Sequence, residues 1–237
     1  VVILGVAIAF LLKEEATVVP VAKVEEITPG RSIAKLTVAS GDVYHLDSLN
    51  QVDLVTSLAE NNGKEVVFTD RQLEESAGEI RYNKVEIPRG GEYQIVLGDG
   101  TRVYLNAQTE LRFPESFANS EQRLVYLSGE AYFEVMKDMN RPFYVVTDAV
   151  RVKVYGTEFN VNTNGIGGTQ TTLVSGKVGI WGRGSVQEYI MKPFQLAEFG
   201  DNGEFKGIRD VDVKTYTAWK EGFFVFEDEG LEGILNR

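Results

Sequence analysis

From Ile33 to Trp181 the chain is a succession of short segments rich in β-branched and aromatic residues, cut at close intervals by glycine and small polar residues. No apolar period near that of a helix is sustained anywhere between them. Alternation is clearest in Val150-Arg151-Val152-Lys153-Val154, with valines on one side and cations on the other, as a half-buried strand requires. Segments this short bury apolar surface only by pairing. The expected fold is therefore all-β, a sandwich- or solenoid-like body of short antiparallel strands.

Several neighbours read as strand pairs. Leu36-Thr37-Val38 and Val43-Tyr44-His45-Leu46 flank Ser40-Gly41-Asp42, and Gln94-Ile95-Val96-Leu97 and Thr101–Leu105 flank Gly98-Asp99-Gly100. The two units align at an offset of 95 − 36 = 59, so one hairpin type is used twice. Phe143–Thr147 pairs with Val150–Tyr155 across Asp148-Ala149. Arg123–Leu127 and Ala131–Val135 flank Ser128-Gly129-Glu130, read as a tight turn. Only the C-terminal part turns helical. Asp212–Glu221 holds about two turns with Val213, Tyr216 and Trp219 or Lys220 on one side, and Gly222 stops it. Phe223–Phe226 reads as a strand, and Asp228 caps a last segment carrying Leu231, Ile234 and Leu235. Residues 212–237 are thus the expected start of a further, C-terminal domain.

The first twelve residues, Val1–Leu12, carry no charge and are almost wholly apolar. As a helix they span about 18 Å, short of a bilayer core. With no charged leader and no small-residue cleavage site, the outer end of a membrane span fits better than a signal peptide; a buried core element is the third reading. Glu14–Arg31, with Pro20 and Pro29-Gly30 and no periodic packing, is a linker, and residues 32–211 form the β domain.

Acidic residues outnumber basic ones 35 to 24, a net charge of −11, which disfavours binding along a phosphate backbone. Cysteine is absent, excluding disulfides, thiolate metal sites and cysteine nucleophiles. His45 is the single histidine, so any histidine-based catalysis runs through it, yet no nucleophile elbow accompanies it. Glu130 and Glu134 share a strand face and read as solvated. Gly98-Asp99-Gly100-Thr101 and Asp201-Asn202-Gly203-Glu204 lack the calcium-loop and phosphate-loop patterns and read as hairpin turns. Gly165-Ile166-Gly167-Gly168 opens no helix after a strand, so a dinucleotide site is not expected. No catalytic residue, cofactor or metal site is visible.

The stretch Glu92–Ala107, with Gly98-Asp99-Gly100-Thr101 at its centre, resembles the opening of a FecR-type domain. Arg123-Leu124-Val125-Tyr126-Leu127-Ser128-Gly129-Glu130-Ala131-Tyr132-Phe133-Glu134-Val135 is similar to that family's most distinctive run. Arg141-Pro142-Phe143, Val154–Val161 and Thr171–Val178 follow in the family's order, and Thr217–Phe226 resembles the junction with its C-terminal signalling domain. Two departures affect turn geometry: Gly98 replaces the usual proline, and Pro193-Phe194 replaces a usual Pro-Gly.

The resemblance implies the periplasmic part of a single-pass inner-membrane anti-sigma factor. Its partners are then an extracytoplasmic-function sigma factor and the signalling domain of a TonB-dependent outer-membrane transporter, with regulated proteolysis near the membrane; Glu14–Arg31, which lacks periodic packing, is the expected access region. Tyr216, Trp219, Phe224 and Phe226 are the candidate partner-binding residues, with core packing the stronger reading for Trp219. The competing class is a ligand- or glycan-binding β-sandwich on the cell envelope, prompted by Tyr132, Phe133, Tyr144, Tyr155, Trp181 and Trp219.

Overall fold

A computed structural model describes residues 31–47, 55–56, 59–61, 65–70, 80–165 and 167–223. The expected membrane segment Val1–Leu12, the linker up to Gly30, and the segment carrying Phe224 and Phe226 lie outside them. Among the described residues no helix is long and apolar enough to cross a membrane.

Among the described residues nineteen strands, β1 to β19 in chain order, form two sheets packed face to face. Sheet I runs β2 (Val43–Asp47), β1 (Arg31–Thr37), β6 (Tyr82–Glu86), β9 (Glu110–Pro114), β10 (Arg123–Ser128), β12 (Phe143–Val146), β13 (Val150–Val154), β16 (Val178–Gly182) and β17 (Tyr189–Met191). Sheet II runs β3 (Val55–Thr56), β4 (Ala59–Asn61), β5 (Glu65–Phe68), β7 (Gly91–Val96), β8 (Arg102–Leu105), β11 (Glu130–Glu134), β14 (Glu158–Asn162), β15 (Thr169–Ser175), β18 (Gln195–Phe199) and β19 (Phe205–Asp210). From β6 onward each new strand joins the growing end of one sheet or the other, which gives a sandwich with the progression of a flattened solenoid. Pairing is antiparallel except at β10–β12, β5–β7 and a short contact of β1 with β7.

One continuous core lies between the sheets. Val85, Leu111, Val125, Val145, Val152 and Ile180 from sheet I face Val103, Leu105, Phe133, Phe159, Leu173 and Phe199 from sheet II, all buried. Rings bridge the gap, with Phe68 edge-on to Phe113 at 4.9 Å and Phe133 tilted against Phe143 at 6.1 Å. The alternation in Val150–Val154 is realised as read, Val150, Val152 and Val154 inward and Arg151 and Lys153 outward. The hairpins β1–β2, β7–β8 and β12–β13 form in the expected places.

The Ser128–Glu130 turn is different. It joins no hairpin: β10 pairs with β9 and β12 in sheet I, and β11 pairs with β8 and β14 in sheet II. The chain turns a corner from one sheet to the other at Gly129, whose φ is +109°. A Cβ there would stand 2.5 Å from Thr109 Oγ1 and 2.6 Å from Thr109 Cα, so only glycine permits this corner.

The departure at Pro193-Phe194 leaves a mark. Phe194 adopts φ +67°, although its ring is 58% exposed and gains little from burial. Its N–H donates to Leu173 O at 2.8 Å and its carbonyl accepts from Val211 N at 2.9 Å, which pins the left-handed conformation. Phe194→Gly is therefore expected to raise stability by about 0.5–1 kcal/mol, the relief of strain exceeding the added freedom of the unfolded chain. Chemical denaturation that finds the variant no more stable than the parent rejects this account.

Candidate interaction site at the C-terminal turn

Strand register lays a straight row of side chains over the outer face of sheet II: Glu65, Gln94, Tyr104, Tyr132, Asn160, Thr172, Leu196 and Arg209, one from each neighbouring strand from β5 to β19. An outer face normally meets water. Here Tyr132, Asn160, Thr172 and Leu196 are nearly or fully buried, although Tyr132 and Leu196 are not part of the core between the sheets.

The C-terminal turn accounts for this. Helix α1 (Lys214–Thr217) continues as a 3₁₀ turn through Ala218–Glu221 and ends at Gly222, matching the expected element. Asp212 Oδ1 accepts the Lys214 N–H at 3.0 Å, and Thr217 Oγ1 donates back to Val213 O at 2.9 Å. At one end Arg209 Nη2 donates to the Tyr216 hydroxyl at 3.0 Å. At the other, Lys220 Nζ stands 4.9 Å from the Tyr132 ring centroid and 5.5 Å from that of Tyr104. The turn thus lies across the row, over Asn160, Thr172 and Leu196. Burial, followed by the nearby Glu158 carboxylate, pushes the Tyr132 hydroxyl well above the ordinary tyrosine range; burial and then Glu134 also raise Tyr104.

Carboxylates brace the platform. Glu130 accepts from Asn106 Nδ2 and from Asn160 Nδ2, each at 2.8 Å, so it is a cross-strand tie and not the solvated group expected. Glu158 accepts the Tyr132 hydroxyl at 3.1 Å, and Glu198 accepts from Gln170 Nε2 at 3.0 Å and Arg209 Nε at 3.4 Å. Three polar atoms around the turn are buried without a hydrogen-bond partner: Asn160 Oδ1, Thr215 Oγ1 and Trp219 Nε1. Such groups are costly, so the turn is held less firmly than its burial alone would indicate.

The FecR protein family profile matches residues 83–179, from β6 into β16. Two crystal structures of a candidate anti-sigma factor from Parabacteroides distasonis, at 2.50 and 1.65 Å resolution, are each 32% identical to the chain with TM-scores of 0.58. They match 65% of this chain, and the match spans 72% and 71% of theirs. The chain belongs to the FecR family. No curated protein matches it.

The motifs that carry the FecR likeness are structural ties. Arg123, at the head of the most distinctive run, is fully buried beneath the turn of the Gly98–Thr101 motif. Its Nη1 donates to Asp99 Oδ2 at 2.7 Å and to Met136 O at 2.8 Å, and its Nε donates to Arg141 O at 3.0 Å. Asp99 also accepts the Thr101 N–H and hydroxyl at 2.9 and 2.8 Å, and Thr101 Oγ1 accepts the Met136 N–H at 3.1 Å. Nearby, the Arg141 guanidinium, with the Asn140 N–H, holds the Asp138 carboxyl down to about 2.

His45 is exposed on β2, opposite Lys35 in register, while Asp42 accepts from Ser40 Oγ and Asp47 pairs with Arg31. Among the described residues no group of three or more histidine, aspartate or glutamate side chains is arranged to hold a metal ion. Of the candidate partner-binding residues, Tyr216 and Trp219 both lie on the turn, half-buried. The sequence reading missed Tyr104, Asn160, Leu196 and Arg209 beneath it. A signal was present: Ala131-Tyr132-Phe133 and Leu196-Ala197 break the alternation with consecutive apolar residues, the mark of a strand covered on both faces.

Proposed function

We propose that this FecR-family chain is the signal-relay body of an anti-sigma factor, tethered outside the cytoplasmic membrane and passing a contact at its C-terminal turn toward a bound sigma factor. The observation that carries the reading is the 32% identity to a candidate anti-sigma factor across 72% of that protein's chain. On this reading the incoming contact is the signalling domain of a substrate-loaded TonB-dependent transporter, and proteolysis near the membrane releases the sigma factor. The apolar segment Val1–Leu12 supports a membrane tether. Tyr216, Trp219, Phe224 and Phe226 are the proposed contact residues. The buried, partnerless indole N–H of Trp219 supports a role for the turn as the moving part, since a partner that lifts it supplies the missing acceptor.

The test is calorimetric titration of the chain with the purified signalling domain of a transporter encoded beside it. Saturable binding is expected, weakened at least about tenfold by Trp219→Ala, a loss of about 1.4 kcal/mol. A native chain that does not bind rejects the transporter as the source of the signal. A sigma-dependent reporter that is indifferent to deletion of the gene rejects the anti-sigma role itself.

A further inference from the structure

The outer face of sheet I has the opposite chemistry to that of sheet II. Register places Lys84, Arg112, Tyr126, Val146, Arg151 and Trp181 in one row across six strands. Beyond Lys84, which pairs with Glu86 and Glu110, cations stand over rings. The Arg112 guanidinium lies 4.2 Å from the Tyr82 centroid and 5.0 Å from that of Tyr126, and that of Arg151 lies 4.1 Å from Tyr144. Lys153 Nζ lies 5.3 Å from the Tyr155 centroid, and the Tyr155 hydroxyl keeps this ammonium above its ordinary range.

Toward β13 and β16 this face sinks into a cavity of about 570 Å³. Its walls include Tyr144, Arg151, Lys153, Trp181 and Arg183, with Val186, 98% exposed, at the rim. Three of the twelve lining residues are cationic and none is acidic, in a chain with a net charge of −11. Among the described residues Arg151, Lys153 and Arg183 form no ion pair, whereas Lys35, Lys84, Arg123 and Arg141 do. A guanidinium stacked on a ring still presents its N–H edge, which fits a carboxylate. Beside these cations the valines and rings offer apolar surface.

We propose that this groove docks an extended acidic segment of a partner protein, its carboxylates on Arg151, Lys153 and Arg183 and an apolar or aromatic side chain against Tyr144 and Trp181. Concavity favours a chain segment over a flat lipid surface. The apolar wall favours a peptide over an anionic polysaccharide, which brings carboxylates but no hydrocarbon side chain. The site lies on the sheet opposite the C-terminal turn and does not depend on the role proposed there.

The test is fluorescence anisotropy of the native chain with a labelled short peptide of glutamate and aspartate around a central phenylalanine. Saturable binding is expected, weakening as salt rises and falling at least about tenfold in Arg151→Gln and in Trp181→Ala. Arg102→Gln, on the outer face of sheet II, is expected to bind like the parent. No saturable binding, equal binding of the peptide with lysine at every acidic position, or unchanged affinity in Arg151→Gln overturns the proposal. So does tighter binding of polygalacturonate or of anionic vesicles than of the peptide.

Discussion

Arg123→Ala is expected to cost about 3–5 kcal/mol, enough to unfold a domain of ordinary stability at growth temperature. Two effects add. The substitution removes a long side chain whose exposed fraction is 1%, leaving a void beside the Phe143 ring. It also strands the Asp99 carboxylate, 2% exposed, with no cation and only the Thr101 donors. The freed carbonyls of Met136 and Arg141 each lose a charged donor as well. Arg123→Met separates these effects because it keeps most of the volume; it is expected to remain strongly destabilising while Asp99 stays charged. Adding Asp99→Asn to Arg123→Met is then expected to recover part of the loss, since the orphaned charge disappears. Urea unfolding followed by circular dichroism measures all three. An Arg123→Ala domain within about 1 kcal/mol of the parent rejects the claim that this buried pair locks the Gly98–Thr101 turn onto β10.

The same pair explains what could be read in the sequence and what could not. Strands, hairpins and the all-β class follow from alternation and glycine turns, which are local signals, and they appear where Val150–Val154 and Gly98–Gly100 place them. In the sequence the corner at Gly129 reads as an ordinary tight turn because glycine marks a hairpin and a change of sheet alike. What separates them is the approach of Thr109 from the distant turn before β9, which no local pattern records. The family motifs could be recognised as motifs, but their chemistry could not. Asp99 and Arg123 look like turn and surface residues in the sequence and meet only because two strands bring them together. The C-terminal site was half legible. Tyr216 and Trp219 stand out on a short helix, whereas the platform of Tyr104, Asn160, Leu196 and Arg209 is assembled from strands far apart in the chain. The groove of sheet I was legible only in pieces: Tyr144 and Trp181 stand among the aromatics that prompt a ligand-binding reading and Arg151 and Lys153 on the outer side of their strand, but only strand pairing sets them side by side.

Gly182→Ala is expected to be comparably damaging, for a reason rooted in the backbone alone. Gly182 ends β16 in sheet I, and the turn before β19 in sheet II crosses directly above it. A Cβ at residue 182 would stand 1.9 Å from Gly203 O, with Phe199 Cδ1 3.4 Å away. The obstacle is a carbonyl and not the loose end of a side chain, so relief requires the whole turn to move. That turn is fixed from both sides: Gly203 N donates to Gly200 O at 2.8 Å, and Gly200 N donates to Glu204 O at 2.8 Å. Arg183 N donates to Ala149 O at 2.7 Å, so β16 cannot retreat without breaking the join to the β12–β13 hairpin. Overpacking against an immobile backbone is expected to cost about 3 kcal/mol, the upper part of the range for inserted methyl groups. Gly179→Ala provides the contrast, because a Cβ there would meet the end of the exposed Glu188 side chain, which can swing away. Parallel denaturation of the two variants decides the matter. Equal losses reject the view that sheets I and II are fastened at this end by main-chain contact, and a loss confined to Gly182→Ala leaves this glycine crossing as the closure of the late strands.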